Sequence, residues 1–145
     1  MRRLSILGLV IAPLGALFLF VASIQAATLR VHPDGTGEFP DLRSALARSR
    51  IGDTILLEPG THDSKGALSL LSGRTLRSVA GRDETLVSFT HSPDNGLTIR
   101  RQGTEPVTIE GITFEGTMRG ILVSDGVDLM VRDSAFVGLG SALPK

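Results

Sequence analysis

Residues 107–116 read VTIEGITFEG and residues 129–138 read LMVRDSAFVG. The two segments align with a constant shift of 22 residues. Alternate residues in these copies are apolar, which is the pattern of a strand with one buried face. A period in the twenties is typical of solenoids, in which each coil buries its apolar face against its neighbours. A second match, NGLTI at 95–99 with RGILV at 119–123, has a shift of 24. The two spacings predict coils that differ by a loop residue or two.

Short strands between glycine-containing turns are predicted along most of the chain. They are expected at 28–31, 54–57, 68–71, 75–79, 85–89, 97–100, 107–109, 112–114, 121–123, 129–131 and 135–137. The connections between them leave no room for crossover helices, which excludes a βαβ sheet and favours a parallel β-helix. The sequence therefore predicts an all-β solenoid of about four coils over residues 27–145, with Phe114 and Phe136 in its core.

One short helix is predicted at the entrance to the solenoid, over residues 39–50. Pro40 suits a first helical turn, and Asp41 favours the positive end of the helix dipole. Three apolar residues share one face of this helix, namely Leu42, Ala45 and Leu46. Because the first coil of a solenoid has an exposed apolar end and unpaired strand edges, we expect this helix to cover both.

The same entry segment carries a family resemblance. Residues 31–40 read VHPDGTGEFP, residues 42–46 read LRSAL, and residues 52–62 read GDTILLEPGTH. This segment resembles the start of the pectate-lyase-like right-handed parallel β-helix proteins (pectin lyase fold), which include pectin methylesterases and many uncharacterised secreted bacterial proteins. In that family a DG(T/S)G-x-F turn leads into a capping helix, and a GDTI segment starts the coils. His62 stands where the family usually has Tyr. The resemblance implies a right-handed β-helix and an association with carbohydrate.

The stretch from Met1 to Ala26 has the features of a secretory signal peptide. Arg2 and Arg3 precede an apolar stretch from Leu4 to Ala22, and small residues then predict cleavage after Ala26. The alternative is an uncleaved membrane anchor formed by residues 4–22, since this stretch is close to the shortest length that can span a bilayer. Both interpretations place the remainder outside the cytoplasm, secreted or periplasmic. The chain has no cysteine, which excludes disulfides and thiol chemistry.

Composition narrows the partners of the processed chain. Without Arg2 and Arg3 it has 13 basic and 15 acidic residues, a net charge of −2. No basic run occurs, so nucleic acid is not an expected partner. The chain also lacks Trp and Tyr, the residues that most often form sugar-binding platforms. A polysaccharide partner is therefore expected from the family resemblance and not from aromatic content.

The repeat spacing predicts which charged residues are neighbours on successive coils, which lie about 4.8 Å apart. The shift of 22 places Glu110 beside Arg132, and the shift of 24 places Arg101 beside Asp125. We expect two surface ion pairs, each worth about 0.2–1 kcal/mol. Lyases that share the resemblance stack acidic residues for calcium, but here no carboxylate is predicted beside another. No metal or cofactor is therefore expected, and calcium would need a longer parent chain.

The densest group of charged residues is Asp125, Asp128, Arg132 and Asp133, which are the candidate catalytic residues. Pectin methylesterases use two Asp and one Arg on neighbouring coils, but the glutamine-containing motifs of that family have no counterpart here. The simpler interpretation is that Asp125 belongs to a turn and that Asp133 is a polar residue at a strand edge. The three histidines are scattered and lack the spacing of a zinc site.

The C-terminal end of the predicted solenoid has no second cap. Two interpretations remain: the chain is part of a longer β-helix, or its last coil associates end to end with another copy.

The sequence leaves two hypotheses for the function of the chain. The first is a secreted, non-catalytic β-helix module that is a surface scaffold or associates with polysaccharide. The alternative is the N-terminal part of a polysaccharide-active enzyme of the lyase, hydrolase or pectin esterase type.

Overall fold

The computed structural model describes residues 25–89, 95–116 and 119–138. The predicted leader and the alternative anchor at 4–22 lie outside these residues. Within them, no helix has the length and apolar character needed to cross a bilayer. The elements are β1 (Thr28–Val31), α1 (Leu42–Arg48), β2 (Thr54–Leu57), β3 (Gly60–Asp63), β4 (Leu68–Leu71), β5 (Thr75–Ser78), β6 (Thr85–Ser88), β7 (Asn95–Arg100), β8 (Val107–Glu110), β9 (Thr113–Glu115), β10 (Arg119–Val123), β11 (Leu129–Arg132) and β12 (Ala135–Val137).

These strands form three parallel sheets that wind into a β-solenoid of about four coils, as the sequence predicts. The strand orders are β1-β2-β5-β8-β11, β4-β7-β10 and β3-β6-β9-β12. Both repeat alignments are confirmed in the strand register: Val107 pairs with Leu129 in the first, and Leu97 with Ile121 in the second. One strand, β3, is not predicted from the sequence, because GTHD has no apolar alternation.

The core consists of inward-facing columns in which each coil contributes one residue. One column runs Leu29, Ile55, Leu76 and Ile109 through β1, β2, β5 and β8, and all four side chains are buried. A column on another sheet runs His62, Val87, Phe114 and Phe136. The ring planes of Phe114 and Phe136 are stacked, with centroids 5.3 Å apart. Stacking of like residues between coils is what a fixed repeat length produces.

Helix α1 caps the first coil with the predicted face but is shorter than predicted. Its buried residues are Leu42, Ala45 and Leu46, and it packs on β4 and β1. It begins at Leu42 and not at Phe39, because Asp41 is the extended N-cap residue and its carboxylate accepts the N–H of Ser44. Phe39 instead forms a parallel bridge with Val31.

The far end of the described solenoid is open. The last members of three inward columns remain partly exposed, with Val123 and Val131 at 39% and Phe136 at 42%. The prediction that Phe136 lies in the core is therefore wrong, although its ring does stack on Phe114. The reason is that β10, β11 and β12 are the edge strands of their sheets.

Candidate functional site

A cleft of about 560 Å³ lies at the capped end of the solenoid, where three chain segments meet. We call it the N-terminal cleft. The turn at 32–35 and the start of α1 at 40–43 form two walls, and residues 61–65 with Leu68 form the third. Its volume falls within the range of about 300–1,000 Å³ that ligand sites usually have.

The first wall is a turn held by its own aspartate. The Oδ1 atom of Asp34 accepts the N–H of Thr36 at 3.0 Å and its hydroxyl at 2.7 Å. These hydrogen bonds lower the pKa of Asp34 from its ordinary value. The ring of Pro33 packs on Gly60, where φ is +125° and an added Cβ would lie 2.8 Å from Pro33 Cγ. Glycine at position 60 thus lets the turn approach β3 closely.

The second wall is the first turn of α1. The Oδ1 atom of Asp41 accepts both the N–H and the hydroxyl of Ser44 at 2.7 Å. The hydroxyl and the N–H together lower the pKa of the Asp41 carboxyl. Asp34 and Asp41 are therefore ionised at neutral pH, and each is already engaged in local structure. A carboxylate held in this way is suited to accept hydrogen bonds and poorly suited to donate a proton.

The third wall contains His62, which is 4% exposed. Its Nε2 atom lies 2.8 Å from the carbonyl oxygen of Glu58. Because a carbonyl oxygen only accepts, Nε2 carries the proton of the neutral ring, and Nδ1 keeps its lone pair. Burial lowers the pKa of His62, and the hydrogen bond to Glu58 only partly opposes this. The imidazole is thus a neutral acceptor and a weak base.

The remaining groups give the cleft mixed polarity. Arg43 and Lys65 are exposed cations on the second and third walls. Apolar surface comes from the exposed rings of Pro33 and Pro40. Donors, acceptors and apolar patches on one concave surface match a ligand with hydroxyl groups and C–H faces. No group of three or more His, Asp or Glu suited to a metal ion occurs within residues 25–89, 95–116 and 119–138.

The four predicted catalytic candidates lie between the end of β10 and the start of β12. Asp125, Asp128, Arg132 and Asp133 are all exposed. Of these four, Asp133 lines a second cleft, which has a volume of about 380 Å³ and is also lined by Arg77 and Glu110. Two carboxylates and one guanidinium, contributed by three successive coils, therefore share this second cleft. The 22-residue repeat indicates this grouping in the sequence. It places Gly111 beside Asp133, and Glu110, which precedes Gly111, is therefore close to Asp133.

The two predicted ion pairs do not form, although the predicted register does. Arg132 pairs with Glu110 in the β11–β8 ladder, and on the other side Glu110 pairs with Arg77. No ion pair within 4.0 Å joins Glu110 to Arg132 or Arg101 to Asp125. Exposed side chains gain little from such contacts, so a shared register does not bring them together. An ion pair that does link coils is Arg30 with Glu58.

The N-terminal cleft is not predicted from the sequence, although part of its lining falls within the motifs of the entry segment. His32 and His62 are far apart along the chain, and only the winding of the first coil brings them to one surface. No family model, curated protein or solved structure matches this chain. The geometry of the two clefts is therefore the basis for the functional argument.

Proposed function

We propose that this chain is an exported, non-catalytic β-helix module that associates with polysaccharide through the N-terminal cleft. The observation that carries the proposal is the lining of that cleft. It presents exposed cations at Arg43 and Lys65, ionised acceptors at Asp34 and Asp41, and apolar proline surface. Saccharides offer the complementary set of hydroxyl groups and C–H faces.

The chemistry of the cleft favours binding over catalysis. General acid–base catalysis needs a group whose pKa lies near the working pH. Here the pKa values of Asp34 and Asp41 are lowered further from neutrality, and that of His62 is lowered as well. Each shift leaves its group in one fixed protonation state at neutral pH.

Export is supported by the charged and apolar leader, and the resemblance of residues 29–62 to pectate-lyase-like proteins supports a carbohydrate partner.

Calorimetric titration of the processed chain with soluble neutral and uronic-acid polysaccharides tests this proposal. Lys65→Ala should weaken binding at least several-fold, because it removes an exposed cation from the cleft wall. Arg82→Ala is the matched control, since Arg82 is exposed but lies outside this cleft. The proposal would be contradicted if no polysaccharide bound, or if Lys65→Ala and Arg82→Ala weakened binding equally. Appearance of new reducing ends or unsaturated products would contradict its non-catalytic part.

A second candidate is the N-terminal part of a polysaccharide-active enzyme. The observation that favours it is the second cleft, where Glu110, Asp133 and Arg77 come from three successive coils. Paired carboxylates are the usual groups of glycoside-cleaving sites. Under this alternative, Asp133→Asn would abolish a measurable release of products while leaving the fold intact. An unchanged rate would exclude Asp133 from that role.

A further inference from the structure

A buried carboxylate holds the start of the first strand. Asp53, in the turn before β2, is only 5% exposed. Its Oδ1 atom accepts the backbone N–H of Ala27 at 2.8 Å, and its Oδ2 atom accepts the N–H of Arg50 at 2.7 Å. The carbonyl oxygen of Ala27 in turn accepts the N–H of Thr54 at 2.8 Å. Residue 27 is thus clamped to this turn through both of its backbone polar groups.

The hydrogen-bond partners of this carboxylate are neutral. No ion pair within 4.0 Å involves Asp53 in the described part of the chain. The nearby charge that acts on it is the guanidinium of Arg74, which donates its own hydrogen bonds to Ser49 and Ser72. A buried carboxylate is costly unless a cation is paired with it. A positive charge at the Ala27 nitrogen would therefore meet an acceptor that is already in hydrogen-bond contact with it.

Leader cleavage would supply that charge at that atom. In hydrolysis of the Ala26–Ala27 bond, the carbonyl carbon of Ala26 takes hydroxide from water, and the Ala27 nitrogen takes the proton. At neutral pH the new carboxylic acid on the leader gives up its proton, and the Ala27 amine takes one up to become an α-ammonium. The fold need not rearrange, because Gln25, Ala26 and Ala27 lie on the surface and β1 begins only at Thr28.

We propose that removal of the leader after Ala26 creates an ion pair between the new Ala27 ammonium and the buried Asp53 carboxylate. This pair replaces a neutral hydrogen bond with a charge-assisted one and anchors β1 to the turn before β2. Processing thereby converts the chain to its more stable form. The pair requires a terminus at Ala27, because the Ala27 nitrogen is the atom in hydrogen-bond contact with the Asp53 carboxylate.

Four chains test the ion pair by a double-mutant cycle. The first begins at Ala27 with a free amine, and the second is the same chain with an Nα-acetyl group, which keeps the N–H donor and removes the charge. The other two carry Asp53→Asn in each form. Removal of residues 1–26 deletes none of the described strands. We expect the free amine to raise Tm by about 3–6 °C over the acetylated chain, and Asp53→Asn to abolish that difference.

The pH dependence of the Tm difference between the free and acetylated chains gives a second test that does not need the Asp53→Asn variant. The stabilisation is present below the ordinary pKa of an α-amino group, about 7.7–8.0, and is lost as pH rises through its higher value in the folded protein. The Tm difference between free and acetylated chains should therefore shrink between about pH 7 and pH 10. Asp53 is the carboxylate in hydrogen-bond contact with the Ala27 nitrogen, and Arg74, whose charge acts on Asp53, keeps its own charge over this range.

Equal Tm values for the free and acetylated chains, or a difference that persists with Asp53→Asn or at high pH, would overturn the ion pair. Intact mass measurement of the full chain after export tests the processing step, and a terminus other than Ala27 would overturn it. The proposal shares only the cleavable leader with the proposed function. Because no readout uses polysaccharide, failure here would leave the binding proposal to its own test.

Discussion

The guanidinium of Arg74 closes the C-terminal end of helix α1 through Ser49. Its Nη2 atom donates to the Ser49 carbonyl oxygen at 2.8 Å, and its Nε atom donates to the Ser49 hydroxyl at 2.9 Å. A third donor, Nη1, reaches the carbonyl oxygen of Ser72 at 2.9 Å. Arg74 is 4% exposed, and burial lowers its pKa while the Asp53 carboxylate opposes that shift. One side chain thus ties the cap to two coils and places a cation at the negative end of the helix.

Replacing Arg74 should loosen the cap. Arg74→Met keeps most of the side-chain volume but leaves the carbonyl oxygens of Ser49 and Ser72 without this donor. We expect the free energy of unfolding to fall by about 2–4 kcal/mol, because hydrogen bonds from charged groups are worth about 1.5–3 kcal/mol each. Urea unfolding measures the change. The control is Arg77→Met, at an exposed position of β5, which should cost below about 0.5 kcal/mol. Equal costs would contradict the capping role.

Stability should fall in mild acid because of His62. Its pKa is lowered from 6.5 in the folded state, chiefly by burial, so the unfolded chain binds the proton more readily. The free energy of unfolding therefore decreases as pH falls through about 6.5 and continues to decrease until pH passes below the folded pKa. His62→Gln should flatten this dependence between about pH 7.5 and pH 5.5 in urea unfolding. His32→Gln, at a half-buried position, should retain most of it. The same slope in both variants would refute this assignment.

Two neighbours on β8 should respond very differently to truncation. Glu110 is half-buried, faces outward and forms no ion pair with any residue that the structure describes, so Glu110→Ala should cost less than about 1 kcal/mol. Ile109 is fully buried in the inward column, so Ile109→Ala should cost about 2–5 kcal/mol. Chemical unfolding of both variants measures the contrast. A loss of several kcal/mol for Glu110→Ala would show that this carboxylate has a structural partner.

The sequence predicts the features that depend on local periodicity. The pairing of Val107 with Leu129 follows from a repeat of constant length, and the buried face of α1 follows from helical spacing. It does not predict that Thr75 pairs with Thr108, because the loops in this coil are longer and conceal the repeat. Nor does it predict the N-terminal cleft, since β3 lacks apolar alternation and the walls meet only through winding of the first coil.

The last described coil exposes apolar side chains, and a second copy of the chain could cover them. Phe114 is fully buried between Phe89 and Phe136, with ring centroids 6.2 Å and 5.3 Å away. Phe114→Ala should therefore cost about 3–5 kcal/mol. Phe136 is 42% exposed on the edge strand β12, so Phe136→Ala in a monomer should cost roughly half as much.

Light scattering together with unfolding at several protein concentrations distinguishes a dimer, in which a second copy covers the last coil, from a monomer. If a second copy covers the last coil, a chain that begins at Ala27 should scatter as a dimer, and Tm should rise with concentration. Phe136→Ala should then shift the chain toward monomer and cost nearly as much as Phe114→Ala. If the chain is monomeric, the small cost of Phe136→Ala should be independent of concentration. Because α1 covers the other end of the solenoid, such pairing would join two C-terminal ends and close as a two-fold dimer. Larger scattering species that grow with concentration would contradict this closed arrangement.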